Sequence, residues 1–179
     1  MKYYPHTAQN VTTGTNQWEN PQNVISKSNN YAHCIVTSGS RSKLDITFSP
    51  LGNLRAKVKE AYIKVSCYAT STKPYLYMYD STESTTLHSC AFSTEKTLVT
   101  SRKDVLSLIN LKEDTTFRLS VVGSSSETAY IYSVYLELIG EGLDDNKTIY
   151  LGANNIQNIY LGNNNISSVY LGDSLVYSN

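Results

Sequence analysis

The side chains that could do chemistry in this chain are few and poorly spaced for it. Its histidines, His6, His33 and His88, and its cysteines, Cys34, Cys67 and Cys90, form no His-x-His, Cys-x-x-Cys or His-Glu-x-x-His group, the spacings through which a chain holds zinc. His33 and Cys34 are adjacent, but neighbours on a strand point to opposite faces and cannot share an ion. No metal and no other cofactor is expected. A Gly-x-Ser-x-Gly elbow and a glycine-rich phosphate loop opening a helix are both missing. Gly123-Ser124-Ser125-Ser126 falls between two strands, where a flexible turn accounts for it, and the paired carboxylates Asp144 and Asp145 stand in a linker rather than a cleft. The expectation is a protein that is not an enzyme.

Aromatic residues supply the binding hypothesis. Trp18 and the run Tyr75-Leu76-Tyr77-Met78-Tyr79 offer flat apolar surfaces with polar tips, which is what a sugar ring needs. In a strand, Tyr75, Tyr77 and Tyr79 share one face while Leu76 and Met78 take the other. The competing reading is that these tyrosines pack under a loop or at a subunit contact.

The elements that must position them are strands. From about Ala32 to Gly140 the chain alternates with the period of two of a half-buried strand. In Ala61–Ala69 the odd positions are apolar and the even ones carry Tyr, Lys and Ser. In Tyr130–Leu138 the even positions are all apolar or aromatic, so that face is expected to close the same core. Further strands are expected at Ala32–Thr37, Lys43–Ser49, Tyr75–Tyr79, Thr86–Ser93 and Phe117–Gly123, with a single-turn helix within Ser101–Leu111. Seven or eight short strands with polar turns predict an all-β fold, a jelly-roll-like antiparallel β-sandwich over residues 1–140 with an N-terminal arm. Gly140, Gly142 and four charges within 140–147 break the pattern and mark a linker at 141–147.

Residues 148–179 then repeat with a period of ten: Tyr150-Leu151-Gly152, Tyr160-Leu161-Gly162 and Tyr170-Leu171-Gly172. Each decapeptide reads as one short strand and one turn. The apolar set is Ile149, Tyr150, Leu151, Ile156, Ile159, Tyr160, Leu161, Ile166, Val169, Tyr170, Leu171, Leu175, Val176 and Tyr177. These residues load both faces of the strands, which must then be covered twice. Alone, the segment cannot bury enough to offset its ordering entropy. It is therefore expected to be an assembly interface, a docking or oligomerisation element for which a homotrimer is one suitable arrangement.

Composition narrows the partners. Lys+Arg and Asp+Glu both number 15, giving a formal net charge of zero, so no overall field attracts nucleic acid or an anionic membrane. The N-terminus lacks the apolar stretch of a signal peptide, which predicts synthesis and residence in the cytosol. With three cysteines in apolar or alternating stretches, reduced core thiols are expected.

The segment Trp18-Glu19-Asn20-Pro21-Gln22-Asn23-Val24, followed by Asn30-Tyr31-Ala32, resembles the start of β-sandwich modules in structural proteins of tailed bacteriophages. Val24 replaces a small residue of that pattern, and Asn29 and Asn30 stand where an acid is usual. The Ile-Tyr-Leu-Gly decapeptides resemble the closing repeats of phage virion proteins. The resemblance implies a structural virion subunit: a head-decoration or head-fibre protein, or a tail or baseplate component, with other virion proteins as partners. A host-surface glycan is the partner implied by the alternative adhesion reading.

Overall fold

Period-two alternation turns residues 1–143 of the computed structural model into ten strands, because an extended chain with one apolar face must pair sideways and bury that face. The structure describes residues 1–14, 16–25, 30–124 and 126–143, together with the backbone of the strand segments between 149 and 178. In chain order the strands are β1 (Lys2–Tyr3), β2 (Thr7–Asn10), β3 (Ala32–Val36), β4 (Arg41–Phe48), β5 (Val58–Ala69), β6 (Tyr75–Asp80), β7 (Thr86–Ala91), β8 (Thr97–Thr100), β9 (Thr115–Val122) and β10 (Glu127–Gly140).

They form two five-stranded antiparallel sheets. One has the order β2-β4-β9-β6-β7; in the other, β8, β5 and β10 lie side by side, and β3 and β1 share the far edge of β10. The chain passes from one sheet to the other at every connection except the β6–β7 hairpin, the crossing pattern of a jelly-roll-like sandwich. Between the sheets lie Leu44, Ile46 and Phe48 of β4, Ile63 and Val65 of β5, Leu76 and Met78 of β6, Phe117, Leu119 and Val121 of β9, and Leu136 and Leu138 of β10. Phe48 and Phe117 meet edge to face at 6.1 Å, a geometry that suits the ring quadrupoles.

β5 keeps the expected face, with Ala61, Ile63, Val65, Cys67 and Ala69 all buried. β10 does not. Its register slips between Ile131 and Ser133, leaving Tyr132 as an extra residue opposite β5. Before this bulge the core residues are Ala129 and Ile131; after it they are Val134, Leu136 and Leu138. One inserted residue exchanges the two faces, so Tyr130 and Tyr132 stand on the outer side rather than in the core. At the far end of β10 a second slip falls at Gly140, where a Cβ would run into the Lys57 carbonyl.

β1, β2 and β8 were not legible as strands, being only two to four residues long. The helical turn expected within 101–111 is a 3-10 helix at Leu106–Leu108. Its first turn is held by Asp104, whose Oδ1 accepts from the Leu106 and Ala61 amides at 2.9 Å each. The Ser101 hydroxyl instead ties Ile63 to Lys103.

The chain divides into two compact units, Met1–Leu143 and Asp144–Asn179. Leu143 belongs to the sandwich core. In the second unit each repeat is a hairpin of two short strands rather than one strand and a turn: β11 (Ile149–Leu151) with β12 (Asn154–Ile156), β13 (Tyr160–Leu161) with β14 (Asn164–Asn165), and β15 (Ser168–Leu171) with β16 (Ser174–Ser178). A two-residue connection separates the paired strands in every case, as Leu151 pairs with Asn154, Leu161 with Asn164 and Leu171 with Ser174. Ile159 and Ile166 of the expected interface lie outside the described residues, as do the side chains of the others.

Candidate functional site

The tyrosine run on β6 sits as its alternation requires. Leu76 and Met78 are in the core and Tyr75, Tyr77 and Tyr79 line the outer face of the β2-β4-β9-β6-β7 sheet. The Tyr77 and Tyr79 rings are nearly parallel, 7° apart in plane and 5.8 Å between centroids; Tyr75 is tilted by 34° at 6.2 Å from Tyr77. Tyr75 is 47% exposed, whereas Tyr79, stacked on Tyr77, is 9% exposed.

Polar groups border this ladder on the same face. In register, Tyr75 lies beside Val122, Tyr77 beside Ser120 and Tyr79 beside Arg118 of β9; the next strand presents Arg41, Lys43 and Asp45 in the same rows. Arg118 grips Asp45 with two parallel hydrogen bonds, Nε to Oδ1 at 2.7 Å and Nη2 to Oδ2 at 2.8 Å, the fork geometry that makes such pairs strong. The hydrogen bonds that Arg118 donates to Asp45, countered by burial and joined by the one it donates to Glu83, hold the guanidinium firmly charged.

Glu83 reaches this row from the β6–β7 turn. Its Oε1 accepts from Lys43 Nζ at 2.5 Å and from Arg118 Nη1 at 3.1 Å, while Oε2 lies 3.6 Å from Arg41 Nη1. The hydrogen bond from Lys43, ahead of those from Arg118, lowers its pKa. The turn itself is organised by Asp80, which accepts from the Ser84 amide and hydroxyl (2.9 and 2.7 Å), the Thr85 amide (3.2 Å) and the Thr82 hydroxyl (3.1 Å). A hollow of about 230 Å³ bordered by Asp80, Asn110, Asp114 and Thr116 opens beside it.

The second sheet carries an aromatic cluster that the sequence reading missed. His33, Tyr130 and Tyr68 stand in one row across β3, β10 and β5. Tyr68 and Tyr130 stack at 4.4 Å and 4°, His33 stacks on Tyr130 at 6.0 Å, and Tyr31 meets Tyr130 and Tyr132 edge-on. Lys96 Nζ sits 3.8 Å from the Tyr132 ring centre, a cation–π distance. These rings spend their faces on one another. Desolvation, foremost, raises the Tyr68 and Tyr130 phenols above the usual tyrosine range. The signal that could have found the cluster was the odd-even clash in Tyr130-Ile131-Tyr132-Ser133-Val134, where apolar residues change parity.

Trp18 is 3% exposed and belongs to the core, so it offers no platform. Its amide donates to Asn10 Oδ1 at 2.9 Å. The Pro21–Ile25 3-10 helix that follows buries Val24, and Gln22 and Asn23 tie it to the carbonyls of Ala8 and Tyr31. The tryptophan–asparagine–proline stretch is thus a plug for the sandwich. His6 pairs with Asp114 at 3.0 Å, and His33 reaches Glu19 at 3.3 Å. Among the described residues no three His, Cys, Asp or Glu side chains converge as metal ligands would. Cys34, Cys67 and Cys90 are free thiols, the first two buried.

No family model matches the chain, and no curated protein matches it. Solved structures similar to it include a xylan-binding module, CBM15, at 10% identity, with 79% of this chain and 97% of that chain covered and a TM-score of 0.49. Another is CBM32 of AlyQ in complex with 4,5-unsaturated mannuronic acid, at 14% identity, 76% and 98% coverage and a TM-score of 0.45. A third is TmCBM61 in complex with beta-1,4-galactotriose, at 8% identity, 74% and 88% coverage and a TM-score of 0.44. The likeness concerns the β-sandwich.

Proposed function

We propose that the sandwich is a glycan-binding module, not a catalytic one, and that it binds through the outer face of the sheet carrying β6. One observation carries the reading: an outward tyrosine ladder, Tyr75 and Tyr77 backed by Tyr79, shares its sheet face with a cluster of charged hydrogen-bonding side chains, Arg118 next to Tyr79 and Arg41, Lys43 and Asp45 one strand further on. A pyranose has apolar C–H faces and an equator of hydroxyls. It therefore needs a flat aromatic surface and, at its rim, planar groups that donate and accept. Residues two apart on a strand are about 6.6 Å apart, a spacing suited to successive rings of an extended polysaccharide.

Affinity electrophoresis in gels containing soluble polysaccharides tests this. The wild type is expected to be retarded in at least one gel and Tyr75→Ala/Tyr77→Ala to run freely, while Tyr31→Ala, on the other sheet, stays retarded. Loss of retardation in Tyr31→Ala with retention in the Tyr75/Tyr77 variant would move the site to the opposite face and refute the proposal.

The C-terminal unit supports a second reading. Among the described residues its hairpins form three two-stranded sheets, and isolated two-stranded hairpins are marginal in water. We propose residues 148–179 as the element through which the chain joins an assembly, with a phage virion as the setting that the repeat resemblance implies. Mass in solution with and without these residues tests it; an unchanged monomer in both cases refutes it.

A further inference from the structure

Three cations converge on one carboxylate beside the tyrosine ladder, and that carboxylate is the chain's own. Arg41, Lys43 and Arg118 surround Glu83. Arg118 is already served by Asp45, so the sheet's own carboxylate leaves two of the three cations without a counter-charge, and Glu83 arrives from the turn to supply one. Glu83 sits at φ 59°, a left-handed conformation that glutamate rarely adopts. The residue is brought there by a turn that Asp80 fastens.

A second observation lies under the same spot. Ser120 alternates with the core residues Leu119 and Val121 and so faces outward, in register between Lys43 and Tyr77. It is nevertheless 0% exposed, and its hydroxyl oxygen has no hydrogen-bond partner. Buried hydroxyls are rarely left unpaired. With Lys43 drawn over to Glu83, the arrangement has the character of a closed site whose floor donor awaits an acceptor.

We propose that Arg41, Lys43 and Arg118 form a subsite for the carboxylate of a hexuronic acid in the glycan stacked on Tyr75 and Tyr77, and that Glu83 is its internal stand-in, displaced when the ligand binds. The replacement is like for like: one carboxylate leaves the three cations and another takes its place, so little electrostatic stabilisation is lost. The Ser120 hydroxyl gains a partner when Lys43 swings with the incoming acid. The inference rests on the glycan-binding reading above and narrows it to acidic polysaccharides.

The test compares binding of polyuronates (polygalacturonate and alginate) with that of their methyl esters, which keep the sugar chain and mask the acid. The wild type is expected to prefer a free acid over its ester, with a preference that shrinks when salt rises from about 20 to about 200 mM. Glu83→Asn removes the carboxylate and suits the left-handed backbone; it is expected to bind the free acid about tenfold more tightly with ester binding unchanged. Lys43→Met is expected to abolish the preference and retain ester binding. Should Glu83→Asn fail to fold by circular dichroism, Glu83→Gln carries the same comparison. Equal wild-type affinity for acid and ester, or a folded Glu83 variant that binds the acid no better, makes Glu83 a structural pin and overturns the proposal while leaving the glycan reading intact. Failure of the wild type to bind any neutral or acidic polysaccharide overturns both.

Discussion

Replacing Asp80 by Asn probes the turn that carries Glu83. The substitution keeps an acceptor oxygen in place but removes the charge that four donors from Thr82, Ser84 and Thr85 converge on. Burial alone would raise the Asp80 pKa, but the hydrogen bonds from Ser84, Thr85 and Thr82 outweigh it and bring it from 3.8 to about 2. At 1.36 kcal/mol per pH unit the whole difference is worth roughly 2.5 kcal/mol, and because the carboxylate is largely solvated, screening reduces this to about 1 kcal/mol. The folded-state pKa is depressed, so the contribution is complete above the unfolded value near 3.9, is lost as pH falls from about 4 to about 2, and is absent below that. Urea unfolding followed by fluorescence of the single tryptophan, Trp18, which is buried in the sandwich, reports the right unit. At pH 7 the Asn variant should unfold at about 0.5 M less urea for an m-value near 2 kcal/mol/M. At pH 2 the two proteins should unfold together. A gap of equal size at both pH values, or no gap at pH 7, refutes the charge-based account of the turn.

Two further outcomes follow from the sandwich itself. Deleting Tyr132 removes the β10 bulge and leaves Ile131, Ser133 and Val134 in unbroken alternation opposite Cys67, Ser66 and Val65, with Ala129, Ile131, Val134, Leu136 and Leu138 still facing the core; only the ring contacts of Tyr132 are lost, about 1 kcal/mol, and a urea midpoint lowered by the equivalent of more than about 3 kcal/mol would refute the reading of Tyr132 as the inserted residue. Burial, the largest cause in each case, pushes the Cys34 and Cys67 thiols up to about 12, so with Ellman's reagent at pH 8 the native protein should show at most the half-buried Cys90 reacting. All three should react in urea, and a second fast thiol in the native state would contradict the packing.

Much of the sandwich was legible because single strands carry their own evidence. β5 and β6 display their faces in the identity of alternate residues, and nothing outside the strand is needed to read Leu76 and Met78 as inward. β10 defeated that reading because a bulge is a relation between two strands: Tyr132 is extra only with respect to Cys67 and Ser66 opposite it. Trp18 defeated it differently. Its exposure depends on what the Pro21–Ile25 turn and Asn10 do around it, and a large aromatic beside asparagines and a proline looks the same in sequence whether it plugs a core or faces solvent. The repeat unit was located by its period, yet the two strands in each hairpin were not, since Asn154, Asn155, Asn164 and Asn165 have no strand-like composition and pair only because the turn returns them to the tyrosine strand.

By itself, then, the sequence determined the all-β class, the inward and outward faces of its unbulged strands, the outward tyrosines of β6 and the decapeptide period. All of these rest on local periodicity, which survives without knowledge of partners. The tertiary structure alone decided the register of β10, the burial of Trp18 and the stacking of Tyr31, Tyr68, Tyr130 and Tyr132. It also decided the meeting of Arg41, Lys43, Glu83 and Arg118 within a chain whose charges cancel overall. Those residues come from β4, the β6–β7 turn and β9, and charges so far apart in the chain acquire a common neighbourhood only when antiparallel pairing lays their strands side by side.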